Sequence, residues 1–384
     1  MSPSLPSRRR FVRTVGAALG ACAVPIRIAA KTPAASAARP GAATPAKAVR
    51  IDSNENPYGP SPKALEAMTR SQQVSARYPD ALEDEVSEAL ARLHGVGAEN
   101  VVLGCGSGEL LRMADMAFLG AGRNVVVAEP TFEAVLAFAR VTRADAVKIA
   151  LTGDHRHDLP KMAAACSEAT GLIYLCNPNN PTGTIVTRDE MGAFFERVPR
   201  GAVILVDEAY HHFVEDERYA SAFEWMGKLP NLLVVRTFSK IHGLAGMRLG
   251  YGVGAHEVVE ALRAHRLWSN ANAAVLEAAL ATLQDAGHAS KCRREMNGTR
   301  RWLVSEMEKD RRATIPSEAN FVMIDLGTDV APVIAALKER GVFVGRRFAA
   351  LPNHLRVSIG TPEEMRRFVA ALRAVAPSGA IQAA

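Results

Sequence analysis

The sequence predicts an α/β fold in which a mostly parallel sheet, covered by helices on both faces, is joined to a smaller α+β domain. Between residues 101 and 253, short and nearly continuous apolar runs alternate with segments of helical periodicity. Strands that are apolar throughout are typical of a parallel sheet buried on both faces. After Glu257 the pattern becomes mainly helical, and short strands return near the C-terminus. This change of pattern predicts the second domain.

The predicted elements follow one another in a regular order. Apolar runs predict the strands of the sheet, at residues 101–103, 124–128, 146–151, 171–176, 202–206, 232–235 and 249–253. Helical periodicity separates several of them, at residues 108–118, 132–141 and 188–198. The short strands of the second domain are predicted at residues 319–326, 342–344 and 354–359. We find no internal repeat that would indicate a solenoid or a propeller.

The chain of 384 residues is long enough for two domains with a large buried core. Its 48% apolar and 22% charged residues are typical of a globular protein. A stretch rich in Ala, Pro and Thr lacks periodicity and predicts a linker. We therefore expect a signal segment at residues 1–30, a linker at 31–48, a large domain at 76–272, and a small domain built from 51–75 and 273–384.

The positive net charge comes from the N-terminus alone. Residues 1–50 contain nine Lys or Arg and no acidic residue, so removing them from the total of +6 leaves −3 on residues 51–384. A slightly acidic body argues against nucleic acid as a partner, despite the high isoelectric point.

The N-terminus has the pattern of an export signal. Residues 7–13 read Ser-Arg-Arg-Arg-Phe-Val-Arg, which fits the twin-arginine motif, and an uncharged stretch follows at residues 14–26. That stretch is shorter than the roughly 20 residues of a membrane-spanning helix. We expect a periplasmic or exported protein without a stable membrane span. A disordered basic tail on a cytoplasmic protein is the alternative, and the cleavage position and lipidation at Cys22 stay open.

Four cysteines lie outside this segment, and no two of them form a Cys-x-x-Cys pair. Their spacing argues against a zinc or redox motif, so we expect no metal site. Cys105 and Cys176 end apolar runs, which predicts buried thiols. A disulfide is compatible with export, but the sequence does not pair the cysteines.

Chemically informative residues follow the predicted strands. A glycine-rich loop, residues 104–109, leads into a helix, and Phe132 and Asn180 follow the next strands. Asp207 ends an apolar run, and Tyr210 comes three residues later. Ligands of open α/β sheets bind beyond the carboxyl ends of the strands. Each residue also has an ordinary structural explanation: a turn for the loop and Asn180, core packing for Phe132, and a helix cap or metal ligand for Asp207.

Lys240 is the most informative residue. It follows a buried strand and has the hydroxyls of Thr237 and Ser239 beside it, with Arg248 eight positions later. Hydroxyls and a guanidinium are suited to binding a phosphate, and an amine beside a phosphate is what a pyridoxal-phosphate enzyme requires. A buried Asp207 would then pair with the protonated pyridine nitrogen. A solvated loop lysine is the simpler alternative.

The order of these motifs from Ile51 onward resembles the fold-type I pyridoxal-phosphate aminotransferases of classes I and II. Within them, the chain is most similar to histidinol-phosphate aminotransferases. The segments that carry this second resemblance are Asn54-Glu-Asn-Pro-Tyr-Gly-Pro60, Arg77-Tyr-Pro-Asp80 and Leu355-Arg-Val-Ser-Ile-Gly-Thr361. The resemblance implies a fold-type I architecture with pyridoxal 5′-phosphate as the cofactor.

The resemblance also implies roles for the matching residues. Lys240 forms a Schiff base with the cofactor and, together with Asp207 and Tyr210, makes up the catalytic set. The residues implied to bind the cofactor are Ser107, Gly108, Phe132, Asn180, Asp207, Tyr210, Thr237, Ser239, Lys240, Arg248 and Tyr78. Tyr78 is implied to act across a homodimer with shared active sites. Arg356 is implied to bind the substrate α-carboxylate, and Asn56 and Arg346 are further substrate-binding candidates.

Two positions depart from the family pattern. Gly108 stands where an Asp is usual in the phosphate loop, and residues 341–344 are followed by Gly345, then Arg346 and Arg347, where the family has an arginine directly. We therefore expect an aminotransferase that acts on an L-amino acid, or a histidinol-phosphate-like amine, and a 2-oxo acid. A decarboxylase, C–S lyase or racemase on the same fold stays open, as does a non-catalytic exported binding protein.

Overall fold

A seven-stranded sheet organises the protein. The computed structural model describes residues 48–377, so the predicted signal segment, the linker up to residue 47 and the last seven residues lie outside the described part. Numbered along the chain, the strands are β1 (Val49–Ile51), β2 (Val101–Gly104), β3 (Asn124–Glu129), β4 (Asp145–Ala150), β5 (Thr170–Cys176), β6 (Val203–Asp207), β7 (Leu232–Thr237), β8 (Gly250–Gly254), β9 (Thr314–Ile315), β10 (Phe321–Asp325), β11 (Val342–Val344) and β12 (His354–Ser358).

Helices lie between most of these strands. They are α1 (Pro62–Ser71), α2 (Asp80–His94), α3 (Ser107–Phe118), α4 (Ala134–Thr142), α5 (Leu159–Ala164), α6 (Arg188–Phe195), α7 (His256–Arg263), α8 (Ala273–Leu283), α9 (Ala286–Lys309), α10 (Ala331–Glu339) and α11 (Pro362–Val375). Local sequence sets several of their starts. Thr187 and Thr361 form capping boxes with Glu190 and Glu364, which satisfy free backbone N–H groups of the first turn.

The large sheet has the strand order β2-β8-β7-β6-β5-β3-β4. Pairing is parallel from β7 to β4, whereas β8 runs antiparallel to both of its neighbours. Both faces are covered: Val127 and Leu205 pack with α3, α4 and α7, and Val126 and Ile204 pack with α5 and α6. Every residue of β5 is buried. The predicted α/β class with a mostly parallel, doubly covered sheet is confirmed.

Smaller sheets form a second region. Strand β1 pairs in parallel with β11, and β10 pairs antiparallel with both β12 and β9. Helices α9, α10 and α11 pack on these strands around Phe321 and Phe368. Helices α1 and α8 instead pack with α2, β2 and β8 of the large sheet. The predicted division at residues 76–272 stays a prediction.

Between residues 48 and 377, no helix is both long enough and apolar enough to cross a bilayer. The four cysteines in this range are free thiols, and Cys176 is buried as expected. Cys105 is exposed, contrary to the prediction. It lies just beyond the end of β2 in the glycine-rich loop, where the chain has left the sheet and the thiol is no longer covered.

Candidate active site

A cavity of about 590 Å³ lies at the carboxyl ends of the parallel strands. Most of the residues predicted for the site line it, although they come from distant parts of the chain. They are Ser107, Gly108, Phe132, Asn180, Asp207, Tyr210, Thr237, Ser239, Lys240, Arg248, Arg346 and Arg356. All of these residues except Arg346 and Arg356 belong to the large sheet or to the segments that connect its strands. They come together because parallel strands end at the same edge.

Lys240 follows β7 and extends into the cavity. Its Nζ lies 5.7 Å from the centre of the Tyr210 ring. Burial lowers the pKa of Lys240 to about 8, and the nearby positive charge of Arg356 acts in the same direction. A lysine with a lowered pKa has a larger neutral fraction near neutral pH, and the neutral amine is the nucleophilic and basic form.

Asp207 ends β6 and is almost fully buried at the cavity wall. The hydroxyl of Tyr174 donates to Asp207 Oδ2 at 2.9 Å, and the backbone N–H of Ala209 donates to Oδ1 at 3.1 Å. Burial raises the pKa of Asp207 to about 6, and these two hydrogen bonds oppose the rise. A buried carboxylate facing a cavity is suited to pairing with a cationic group of a ligand.

A hydrogen-bond network surrounds the hydroxyl of Tyr210. Asn180 Nδ2 donates to it at 3.3 Å, and Asn54 Nδ2 donates to it at 3.0 Å. Asn54 lines the cavity and accepts from the hydroxyl of Ser358, which fixes its amide. Asn54 was not among the residues predicted for the site, although it lies in the segment that carries the family resemblance. Only the tertiary structure shows that this residue, which follows β1, lies beside the cavity.

Asn56, the neighbouring candidate, lies outside the residues that line the cavity. Its Nδ2 donates to the carbonyl of Ile241 at 2.8 Å, and its Oδ1 accepts from the N–H of Tyr58 at 3.0 Å. Both groups of this amide are thus used within the protein. Asn56 therefore holds the backbone of Ile241, the residue after Lys240, whereas Asn54 lines the cavity.

The predicted phosphate-binding residues converge at the start of α3. The hydroxyl of Thr237 donates to Ser239 Oγ at 2.9 Å. The Arg248 guanidinium lies against Gly106, whose φ is +77°, and a Cβ atom at Gly106 would come within 2.2 Å of Arg248 Nη2. A helix N-terminus, two hydroxyls and a guanidinium form a donor set that fits a phosphate group. Pyridoxal phosphate therefore fits these residues.

Arg356 lies on β12 and reaches the cavity from the small antiparallel sheet. Its Nη1 donates to Asn180 Oδ1 at 2.9 Å and its Nη2 to the carbonyl of Asp52 at 3.3 Å, while the buried Nε has no protein partner. A buried donor without a partner is rare and favours a ligand acceptor. A carboxylate is the acceptor that matches a guanidinium best.

The cavity mouth carries an ion pair. Arg346 Nη2 lies 2.6 Å from Glu133 Oε2, and both side chains are about half exposed. The Arg346 guanidinium also lies 4.3 Å from the centre of the Phe348 ring. Arg347 instead pairs with Asp329 and does not line the cavity. Glu133 was not among the residues selected from the sequence.

Two aromatic candidates differ in position. Phe132 lines the cavity and is 38% exposed, which leaves a ring face available to a ligand, and Ala209 also lines the cavity. Tyr78 is 84% exposed and is not among the lining residues. Its predicted role requires a second subunit and stays a prediction.

Comparison with known proteins identifies the family. Residues 46–372 match the aminotransferase class I and II family. The chain belongs to this family. It is 39% identical over 332 residues to a histidinol-phosphate aminotransferase of Symbiobacterium thermophilum, covering 86% of this chain and 91% of that protein. It is 38% identical over 330 residues to the enzyme of that name from Moorella thermoacetica, covering 85% of each chain.

Solved structures agree with this assignment. A histidinol-phosphate aminotransferase from Sinorhizobium meliloti, in complex with pyridoxal-5′-phosphate, superposes with a TM-score of 0.81 at 28% identity, covering 86% of this chain and 91% of that one. An aspartate aminotransferase from Thermus thermophilus shares the fold, with a TM-score of 0.74 at 21% identity over 85% of this chain and 91% of that one. The protein is a pyridoxal-phosphate-dependent aminotransferase, and the predicted fold type, enzyme class and cofactor are confirmed.

Proposed function

We propose that this aminotransferase moves an amino group from an L-amino acid to a 2-oxo acid, with Arg356 as the group that binds the α-carboxylate. The observation that carries the proposal is the guanidinium of Arg356, which lines the cavity and whose buried Nε has no protein partner. Nη1 of the same guanidinium is already bonded to Asn180. A bound carboxylate would satisfy the free donor and orient the substrate relative to Lys240.

We propose that other residues lining the cavity hold the cofactor. Ser107, Gly108, Thr237, Ser239 and Arg248 would bind its phosphate, and Asp207 would pair with its pyridine nitrogen. Asn180 and Tyr210 would hydrogen-bond its phenolic oxygen, and Phe132 and Ala209 would pack against its ring. When bound, pyridoxal phosphate withdraws electrons from the substrate carbon that carries the amino group.

Lys240 is the residue we propose to move the proton. Its Nζ would take the proton from the substrate Cα and deliver it to the carbon on the other side of the amino nitrogen, which a pKa near 8 allows close to neutral pH. The test is to compare wild type with Lys240→Ala after loading with pyridoxal phosphate. The visible absorption band of the lysine-bound cofactor should disappear in the variant, together with the transamination of any donor. A band that survives would show that another amine binds the cofactor.

A second candidate donor is histidinol phosphate. Its support is the set of relatives bearing the name histidinol-phosphate aminotransferase and the second cation, Arg346, at the cavity mouth. A panel of donors with 2-oxoglutarate separates the candidates. Turnover of histidinol phosphate well above that of aromatic amino acids would establish it as the donor, and the reverse order would favour a non-phosphorylated amino acid.

Other reactions on this fold are tested by the same panel. A threonine-phosphate decarboxylase from Porphyromonas gingivalis shares the fold at 20% identity with a TM-score of 0.73, covering 85% of this chain and 98% of that one. A decarboxylase releases carbon dioxide, a C–S lyase releases a thiol, and a racemase inverts the donor without forming a keto acid. Conversion of one acceptor 2-oxo acid to its amino acid for each donor consumed would support transamination. No turnover of any donor would favour a binding protein.

We also propose a homodimer with shared active sites. Its support is the exposure of Tyr78 and of Trp268, which is 96% exposed and lies in the segment that contacts the start of α2 through the Ser269–Asp80 hydrogen bond. Large exposed aromatic side chains indicate a contact surface. Mixing Lys240→Ala with Tyr78→Ala subunits tests the sharing: in a mixed dimer one site has both residues intact, so activity should return. No recovery, with subunit exchange shown by mass, would contradict it.

Export through the twin-arginine pathway is a separate proposal. It rests on residues 7–26 of the sequence, which lie outside the described residues. Replacing Arg8 and Arg9 with lysine should retain the protein in the cytoplasm. An unchanged location would favour the cytoplasmic alternative, and the mature N-terminus would show the cleavage site and any lipid on Cys22.

A further inference from the structure

A buried hydroxyl that the proposed reaction does not use lies directly behind the cavity. Tyr174 is in β5, has no exposed surface, and is not among the residues that line the cavity. Its hydroxyl donates to Asp207 Oδ2 at 2.9 Å. Asp207, which does line the cavity, therefore links this hydroxyl to the site.

The register of the sheet creates this contact. Strands β5 and β6 pair so that Tyr174 lies opposite Leu205 and Cys176 lies opposite Asp207. Alternate residues of a strand share a face, so Tyr174 and Asp207 lie on the same face as diagonal neighbours. That diagonal is within reach of an aromatic side chain. The ring packs in the cluster formed with α3 and α4, so its position is fixed by the core rather than by a loop.

The carboxylate of Asp207 has one donor on each oxygen among the described residues. Tyr174 donates to Oδ2, and the backbone N–H of Ala209 donates to Oδ1. Two donors on different oxygens fix the plane of the carboxylate and leave further lone pairs for another partner. Cys176, which lies opposite Asp207 in the register of β5 and β6, donates its thiol to the carbonyl of Pro178.

We propose that Tyr174 is a positioning residue, whose hydroxyl orients Asp207 and keeps it ionised for the protonated pyridine nitrogen of the cofactor. This inference rests on the role proposed above for Asp207. The hydroxyl is a permanent donor, because burial and the charge of Asp207 raise the pKa of Tyr174 well above its usual value. Lys240 favours the charged form of Asp207 and Glu208 opposes it, and Cys176 and Tyr210 are further ionisable groups whose pKa the charge of Asp207 raises.

The test removes the hydroxyl and keeps the ring, with Tyr174→Phe. We expect pyridoxal phosphate to bind about tenfold more weakly, because a hydrogen bond to a charged group is lost. We also expect the pH midpoint of the bound cofactor's visible absorbance to move to higher pH. Without the Tyr174 hydroxyl, Asp207 would hold the shared proton more tightly and leave the pyridine nitrogen less charged. The ring would then withdraw fewer electrons, and the Lys240 nitrogen bonded to the cofactor would be more basic.

The matched control is Tyr251→Phe. Tyr251 is also a buried tyrosine of the large sheet, and its hydroxyl bonds to His94 Nε2 at 2.9 Å rather than to Asp207. A loss of general stability would affect both variants, whereas the cofactor affinity and the pH midpoint should change in Tyr174→Phe alone. An unchanged dissociation constant and midpoint in folded Tyr174→Phe would overturn the proposal.

Two further measurements separate the possible failures. In an Asp207→Asn background, Tyr174→Phe should have no additional effect on the midpoint, and an undiminished effect would contradict action through Asp207. If Asp207→Asn by itself leaves cofactor affinity unchanged, the proposed role of Asp207 fails instead. Should Tyr174→Phe not fold, 3-fluorotyrosine at position 174 keeps the hydroxyl and strengthens it as a donor. The midpoint must then move to lower pH, and an upward or absent shift would contradict the proposal.

Discussion

Arg356 donates a 2.9 Å hydrogen bond to Asn180 and thereby joins two parts of the active site. Arg356 lies on β12 of the small antiparallel sheet, and Asn180 lies in the loop after β5 of the large sheet. Asn180 in turn donates to the hydroxyl of Tyr210. The group proposed to bind the substrate carboxylate and the groups proposed to bind the cofactor ring therefore share one network, so a change at either end should be measurable at the other.

Replacing Arg356 with Lys should lower kcat/KM for 2-oxo acids by about 10- to 100-fold, because a lysine ammonium cannot reproduce the forked hydrogen bonds. Steady-state kinetics with 2-oxoglutarate measure the loss. Arg347→Lys is the control, since Arg347 pairs with Asp329 away from the cavity. Equal losses in the two variants would contradict carboxylate binding at Arg356.

Replacing Glu133 with Gln should favour donors that carry a second anionic group. The change removes the carboxylate that pairs with Arg346 at the cavity mouth and leaves this guanidinium free for the donor. Because both side chains are half exposed, we expect a rise in kcat/KM of no more than about fivefold. The measurement compares a phosphorylated donor with an aromatic one. Glu363→Gln, which affects an exposed ion pair with Arg366, should change neither value.

Replacing Gly106 with Ala should weaken the binding of pyridoxal phosphate by at least about tenfold. The new Cβ would lie 2.2 Å from Arg248 Nη2, and the φ of +77° is unfavourable for alanine. Equilibrium dialysis measures the affinity. Gly120→Ala is the matched control, since its added Cβ meets no atom within 4 Å. Full affinity in Gly106→Ala would show that the Arg248 position is not required.

Replacing Asp207 with Asn should stabilise the cofactor-free protein at pH 7 while impairing the enzyme. Burial raises the pKa of Asp207 to about 6, so the folded state holds its proton more tightly than the unfolded chain. Stability from this group is complete below about pH 4 and is lost as the pH rises to about 6, a change of up to about 3 kcal/mol.

Urea unfolding of cofactor-free protein at pH 4, 5, 6 and 7 checks this pH dependence. The wild type should lose stability over that range relative to Asp207→Asn, so the difference between the two should grow in favour of the variant. A constant difference across the range would show that Asp207 is not the group responsible.

Lys240 and Asp207 could be predicted to lie at the cavity because each one comes at the end of a strand that is recognisable by itself. Lys240 and Asp207 come directly after buried apolar runs, and the edge of a parallel sheet brings such residues together whatever the details of packing. Cys105 shows the limit of this reasoning. Cys105 is the first residue after β2, whereas Asp207 is the last residue of β6. At Cys105 the chain has already left the sheet, and the thiol is exposed.

The amino-acid sequence by itself determined the fold class, the cofactor and the reaction family, since periodicity and the order of motifs are properties of the linear chain. Tertiary structure alone decided that Asn54 rather than Asn56 lines the cavity, and that Arg346 pairs there with Glu133. It also decided the contact of Tyr174 with Asp207. These choices depend on the direction of side chains and on partners as far as 304 residues away, as for Asn54 and Ser358, which no local pattern records.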